Sequence, residues 1–158
     1  MLFKIIENFI SEKDSKKILE DVKSNFKDNF HKDNLESGSQ TQSNLHIINT
    51  ANHWKIFFNK LNYEMQKVKK TKISKCWSLK INAKQNPLYH RHGNFITSVF
   101  YLQNEDSTLG THLKDFDINI PGKENSIVIF DGDILHDAIF PKKKLKKSRY
   151  TLITDYYK

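Results

Sequence analysis

A single cysteine in 158 residues rules out an internal disulfide framework. Cys76 lies beside Trp77 in a strand-like stretch, where a buried free thiol is expected. Without staples, the chain suits a reducing compartment. Nor does any apolar run approach the roughly 20 residues that a membrane helix needs. The opening segment, MLFKIIENFISEKDSKK, meets acids and lysines too early for a secretory signal. Internal repeats are absent, and no linker is long enough to divide the chain. These absences predict a soluble, cytoplasmic protein with one domain over residues 1–158. A chain of this length buries a core large enough to stand without staples.

The formal net charge is +8, which suits an acidic partner, nucleic acid included. The lysines are scattered, however, and Lys, Asn and Ile dominate the whole chain. Only KKKLKK, residues 142–147, is a dense cluster. It reads first as a solvated turn, so nucleic acid is a secondary candidate.

Residues 2–10, LFKIIENFI, read as a short opening strand or an irregular apolar segment. Ser11 with Asp14 resembles a capping box at the start of a helix running to about Phe30, with Ile18, Leu19, Val22 and Phe26 on one face. Residues 31–46 are polar, hold Gly38 and lack periodicity, which predicts a mobile loop or lid. Trp54, Phe57, Phe58, Leu61, Met65 and Val68 then recur at three- and four-residue spacing, the mark of an amphipathic helix from about Ala51 to Lys69. Beyond residue 70 the texture changes to short strands, near 73–83, 95–103, 109–119, 126–130, 133–140 and 148–157. A helical part over 1–70 followed by strands over 71–158 argues an α+β fold with both helices on one face of a sheet or sandwich.

Seven histidines are present. His31, His46 and His53 fall in or near the polar loop, and His112 lies on a strand. His90 and His92, in PLYHRHGNF, are alternate residues; on a strand they would point to the same side and offer two imidazoles to one ion. Imidazole suits Fe, Zn, Cu and Ni alike. Downstream, the apolar stretch Ile127 to Phe130 enters the turn DGD and emerges at His136. Thirteen residues later, Arg149 opens RYTLITDYY, where alternation puts Arg149 and Thr151 on one face. An arginine facing into a sheet is unfavourable unless it meets an anion. The anion could be an internal Asp or Glu, or the carboxylate of a ligand, which the planar guanidinium fork matches.

In order and spacing, these pieces resemble the Fe(II)- and 2-oxoglutarate-dependent dioxygenase superfamily. The resemblance covers about Trp77 to Tyr157. CWSLKINAKQNPLYHRHGNFITSVFYLQ is similar to a small bacterial and phage group of oxygenase-like proteins related to prolyl hydroxylases, and Gly132, His136 and Arg149 with Thr151 match the superfamily's distal motif. The resemblance implies a double-stranded β-helix (jelly-roll) core and iron held by His90, His92 and His136. It also implies 2-oxoglutarate reaching Arg149 and Thr151, and hydroxylation of an amino-acid, peptidyl or other small substrate with release of succinate and CO2. It further suggests residues 31–46 as a lid and the lysine cluster at the pocket rim.

One departure matters. The superfamily usually has His-x-Asp or His-x-Glu, whereas position 92 is histidine. Two alignments are open, His90 with His92 or His92 with Asn94; the first keeps the spacing to FYLQ closer to that expected. On this reading His92→Asp should keep or strengthen metal binding. Two other classes compete: a cupin-like metal protein, which usually has a glutamate soon after its His-x-His, and a non-catalytic jelly-roll binding module.

Overall fold

The computed structural model describes residues 3–28, 32–34, 38–68 and 72–158. The chain begins with β1 (Phe3–Ile6) and α1 (Glu12–Asp28). Ser11 caps α1 as expected: its hydroxyl accepts from the Asp14 N–H at 3.1 Å and donates to the Asp14 carboxylate at 2.7 Å. The last predicted turn of that helix, to Phe30, lies outside the described residues.

Residues 31–46 differ from expectation. Within them are two short strands, β2 (Lys32–Asn34) and β3 (Gly38–Gln40), which pair with each other. β3 also pairs with β4 (Ile73–Ile81). Next, the 41–44 segment bonds to β4 through Thr41 and Ser43. A ladder needs only backbone N–H and C=O groups. Polar side chains at a sheet edge therefore hide a strand from any search for hydrophobic alternation. His31 and residues 35–37 lie outside the described residues.

A single turn, α2 (Leu45–Ile48), leads to α3 (Asn52–Gln66). Trp54, Phe57, Leu61 and Met65 form its buried stripe, with Phe58 and Val68 packed alongside. Asp21 on α1 accepts from Trp54 Nε1 at 2.8 Å and meets His53 Nε2 at 2.5 Å, which joins the two helices. Among the described residues no helix is long and apolar enough to cross a membrane.

The remaining strands are β5 (Phe95–Gln103), β6 (Thr111–Leu113), β7 (Ile118–Ile120), β8 (Ile127–Asp131), β9 (His136–Ala138) and β10 (Arg149–Tyr157). The single strand expected over 109–119 is two. A 3-10 turn at Lys114–Phe116, closed by Asp117 at φ 53°, folds β7 back on β6; aspartate tolerates this left-handed conformation better than most residues. The two sheets have orders β1-β8-β5-β10-β4-β3-β2 and β7-β6-β9. Their pairings are antiparallel, and together they make the jelly roll.

Strand alternation divides the apolar side chains into two cores. Phe100, Leu102, Ile127, Ile129, Leu152 and Tyr156 face the helices and join Ile18, Val22, Trp54 and Phe57. Val99, Tyr101, Val128, Phe130 and Ile153 face the other way, against Leu113, Ile120 and Ile134. The helices therefore cover one face of the large sheet, and the small sheet the other. Cys76 lies on the helix side, fully buried, and burial pushes its thiol pKa up to about 12.

Candidate metal centre

Between the sheets is a cavity of about 450 Å³ whose lining includes His90, His92, His136, Arg149, Thr151 and Asp155. The expected His-x-His strand is not regular. Residues 82–94 contain only one bridge, in which His90 and His136 exchange N–H···O bonds of 3.1 Å each. That pair seats the first histidine beside the third, on the free edge of β9. The Asp137 carboxylate helps hold the segment by accepting from the Leu88 N–H at 2.5 Å. Arg91 reaches outward to both Asp115 oxygens, at 2.9 and 3.1 Å, and to the Asp133 carbonyl. Asp115 also accepts from the Leu135 N–H at 2.9 Å, so one carboxylate links the approaches to His92 and His136.

Gly132, in the DGD turn, lies directly beneath His92 and accepts its N–H at 2.8 Å. A Cβ at this position would sit 2.8 Å from the Phe95 carbonyl and 3.2 Å from His92 Cβ. The glycine is therefore needed for close approach. Gly93, at φ 78°, then turns the chain into β5.

The candidate ligand atoms of His90, His92 and His136 all lie within 4.8 Å of one another, and His90 Nε2 is 3.2 Å from His92 Nε2. Each Nδ1 is already engaged. His90 Nδ1 donates to the Leu88 carbonyl at 3.0 Å, and His136 Nδ1 to the Ile134 carbonyl at 2.7 Å. His92 Nδ1 meets the Asp155 carboxylate at 2.7 Å. A ring nitrogen facing a carbonyl or carboxylate carries the proton, so the tautomer leaves each Nε2 lone pair free. Burial lowers the pKa of His136 to about 4, the Ile134 carbonyl acting weakly against this. Its lone pair is consequently available at neutral pH. Three imidazole nitrogens facing a partly open cavity can hold a divalent transition metal and leave positions for exogenous ligands. Asn94, the alternative to His92 at the usual carboxylate position, does not line the cavity.

Arg149 is 1% exposed. Its terminal nitrogens donate to the carbonyls of Ile139 at 3.2 Å and Gly110 at 3.0 Å, and its charge lies 5.6 Å from the Tyr101 ring. Its Nε–H has no partner, and no carboxylate among the described residues is within ion-pair distance. Burial pulls the guanidinium below its usual pKa, opposed by Tyr101 and Asp137. A buried cation without an anion is strongly unfavourable. Among the described residues no Asp or Glu forms an ion pair with Arg149, and Asp137 acts on it only at longer range. Thr151, 2% exposed, stands next along the same face of β10.

Other candidates are placed elsewhere. His112 bonds Tyr89 and Asp117 and lines a second cavity of about 270 Å³, apart from the three histidines. His53 joins the helices, and His46 sits in α2. None of residues 142–147 lines the larger cavity. The Lys146 and Lys147 N–H groups are fastened to Glu105, and the Leu145 N–H to Asn82, so the rim position expected for this loop is not found. Gln40 and Ser43 do wall the cavity mouth, from paired backbone rather than a free loop.

No protein-family model matches the chain, and no curated protein sequence does. Solved structures do. A viral collagen prolyl hydroxylase from Paramecium Bursaria Chlorella virus-1, in a 2-oxoglutarate complex, aligns over 99% of this chain and 96% of its own at 12% identity, TM-score 0.68. A prolyl hydroxylase from Trichoplax adhaerens, bound to a hypoxia-inducible-factor peptide, aligns over 98% and 83% at 14% identity, TM-score 0.75. The epimerase SnoN, in complex with Fe3+, α-ketoglutarate and nogalamycin RO, aligns over 98% and 78% at 8% identity, TM-score 0.77. The fold of this chain is that of the Fe(II)- and 2-oxoglutarate-dependent oxygenases. Within it, the chain aligns along nearly its whole length with the prolyl hydroxylases, and comparably with an epimerase.

Proposed function

We propose that this chain is an Fe(II)- and 2-oxoglutarate-dependent oxygenase, one domain, cytoplasmic, that hydroxylates an amino-acid or peptidyl side chain or a comparable small molecule. His90, His92 and His136 would hold the iron, and Arg149 with Thr151 the far carboxylate of the oxoacid. One observation carries the reading. The same cavity holds three imidazoles with their Nε2 lone pairs free and a buried arginine whose Nε–H lacks a partner. A ligand with a chelating keto-acid end and a distant carboxylate answers both.

When bound, iron with 2-oxoglutarate supplies oxidation of an unactivated C–H bond by dioxygen, with conversion of the oxoacid to succinate and CO2. The protein's share is binding, orientation and exclusion of water. Arg149 offers a fork for one carboxylate in a fixed plane. Trp77, Leu79, Val99 and Ile153 supply apolar wall, with Trp77 5.5 Å from the His92 ring. A cupin-like site would leave Arg149 without a role, and a binding module would leave the shared tautomer of the three histidines without one. The neighbours include an epimerase and a carbocyclase as well as hydroxylases, so the reaction needs direct assay.

Anaerobic titration with Fe(II), then 2-oxoglutarate, should show metal-dependent oxoacid binding; air should then give succinate, faster with the correct substrate. Iron binding with no effect of iron on oxoacid affinity would overturn the proposal.

A further inference from the structure

Two of the three histidine Nδ1 atoms donate to neutral backbone carbonyls. The third, on His92, donates to a carboxylate. His92 is also the residue that stands where the resemblance leads one to expect a ligating acid. We infer that Asp155 is a positioning residue that delivers to the metal, through the ring of His92, the negative charge a direct carboxylate ligand would have supplied. The inference rests on the metal reading above and deepens it.

The surroundings of Asp155 support this role. It is 3% exposed and belongs to the face of β10 that carries Arg149 and Thr151. The Thr97 hydroxyl donates to the same oxygen, Oδ1, at 2.8 Å and lies 3.1 Å from His92 Nδ1. Thr97 comes from β5 and Asp155 from β10, paired in register at those two residues. The carboxylate is thus fixed from two strands. No lysine or arginine among the described residues is within ion-pair distance of it; the His92 ring is its one charged or chargeable partner there. A buried carboxylate in that state is unfavourable until a cation sits beyond the ring. The Asp155 carboxylate on Nδ1 fixes the ring's orientation and would make its Nε2 a stronger donor to a metal held there. The three imidazoles that would hold the metal are neutral, and the negative charge lies on Asp155 behind the ring of His92.

On this inference His92→Asp loses metal affinity, where the resemblance alone implies that it keeps or gains it. An aspartate at position 92 places its oxygens at about the depth of the ring's Nδ1, facing Asp155. Two buried carboxylates would then repel each other. Position 92 and position 155 form one unit: either histidine with aspartate, or aspartate with a neutral partner.

The test uses the full-length chain with Co(II) as a visible probe and with Fe(II), comparing wild type, Asp155→Asn, His92→Asp and the double variant. Wild type should bind both metals. Asp155→Asn should weaken Co(II) by about 10- to 100-fold, the loss usual when such an outer partner is removed, and should raise the Fe(III)/Fe(II) potential, since a negative charge near the iron is gone. His92→Asp should weaken binding, and adding Asp155→Asn to it should recover at least about tenfold. If Asp155→Asn does not fold, the comparison of His92→Asp with the double variant still decides. Losses that simply multiply, or an unchanged affinity and potential in Asp155→Asn, would overturn the inference while wild-type binding leaves the metal reading standing. Wild type that takes up neither metal overturns both.

Discussion

On the helix side of the large sheet, β5 and β10 turn Phe100, Leu102, Leu152 and Tyr156 into an apolar layer with α1 and α3. On the other side, the same two strands turn Thr97, Arg149, Thr151 and Asp155 toward a cavity. The first face is closed by apolar contact, including the edge-on and tilted rings of Phe9, Phe57 and Phe100. The second is not. It leaves a guanidinium Nε–H without a partner and gathers three imidazole nitrogens within 4.8 Å of one another. One face spends its residues on stability, and the other holds binding capacity that only a ligand can use.

This contrast is sharpest under mutation. Phe100 is fully buried on the helix side, and Phe100→Ala should destabilise the fold by about 3–5 kcal/mol. Chemical denaturation measures this, and the folded fraction should bind metal with unaltered affinity. A comparable loss of metal affinity would mean that the two faces are not separate.

The second effect is acid sensitivity of the metal-free protein. His136 has a folded-state pKa of about 4 against an ordinary 6.5, because burial disfavours its charged form. Below pH 6.5 the unfolded chain takes up a proton that the folded one refuses. Stability is therefore full above about 6.5 and falls as pH drops toward 4, by ~3 kcal/mol in all. The Asp137 carboxyl, pushed up by burial, acts in the opposite sense over the lower part of that window. Denaturation midpoints of wild type and His136→Gln between pH 4 and 7 check this; equal slopes in the two proteins would refute it.

Third comes the arginine. Arg149→Ala should weaken 2-oxoglutarate about ten- to a hundred-fold, the loss of a charge-assisted pair worth roughly 1.5–3 kcal/mol, with Fe(II) affinity kept. Arg149→Lys retains charge without the fork and should fall between. Anaerobic calorimetry reads both, and an unchanged oxoacid affinity in Arg149→Ala would remove the residue from the site.

The helix face was legible in the sequence because burial imposes period: the stripe Trp54, Phe57, Leu61 and Met65 announces itself. Part of the cavity face was legible too, since His90, His92, His136, Arg149 and Thr151 are chemically conspicuous residues at familiar spacing. Polar residues that act through others were not. Asp155 gives no local signal, though counting by twos from Arg149 reaches it. Asp137 was silent because it holds a backbone group, the Leu88 N–H, and Asp115 because its partners, Arg91 and the Leu135 N–H, lie 24 and 20 residues away in sequence. The strands β2 and β3 were missed for a related reason: the ladder that adds them to the sheet asks nothing of their side chains.

The smallest expected effect concerns the lysine loop, where composition and geometry disagree. Five lysines among residues 142–147 suggest steering of an acidic substrate toward the site. Geometry argues against it. The loop's backbone is fastened to Glu105 and Asn82, its residues line no part of the larger cavity, and Lys142 borders the smaller one instead. Exposed charges act over about 8–10 Å at ordinary salt before screening removes them. A cluster outside the cavity wall therefore adds little to the field within it. Replacing Lys142, Lys143, Lys144, Lys146 and Lys147 by Gln should change turnover and its salt dependence by less than about twofold, and stability by no more than ~0.5 kcal/mol. Assays of succinate formation across a salt series would show it. A steep salt dependence in wild type that vanishes in the variant would assign the loop to substrate capture, and would move the boundary of the functional face out beyond the cavity.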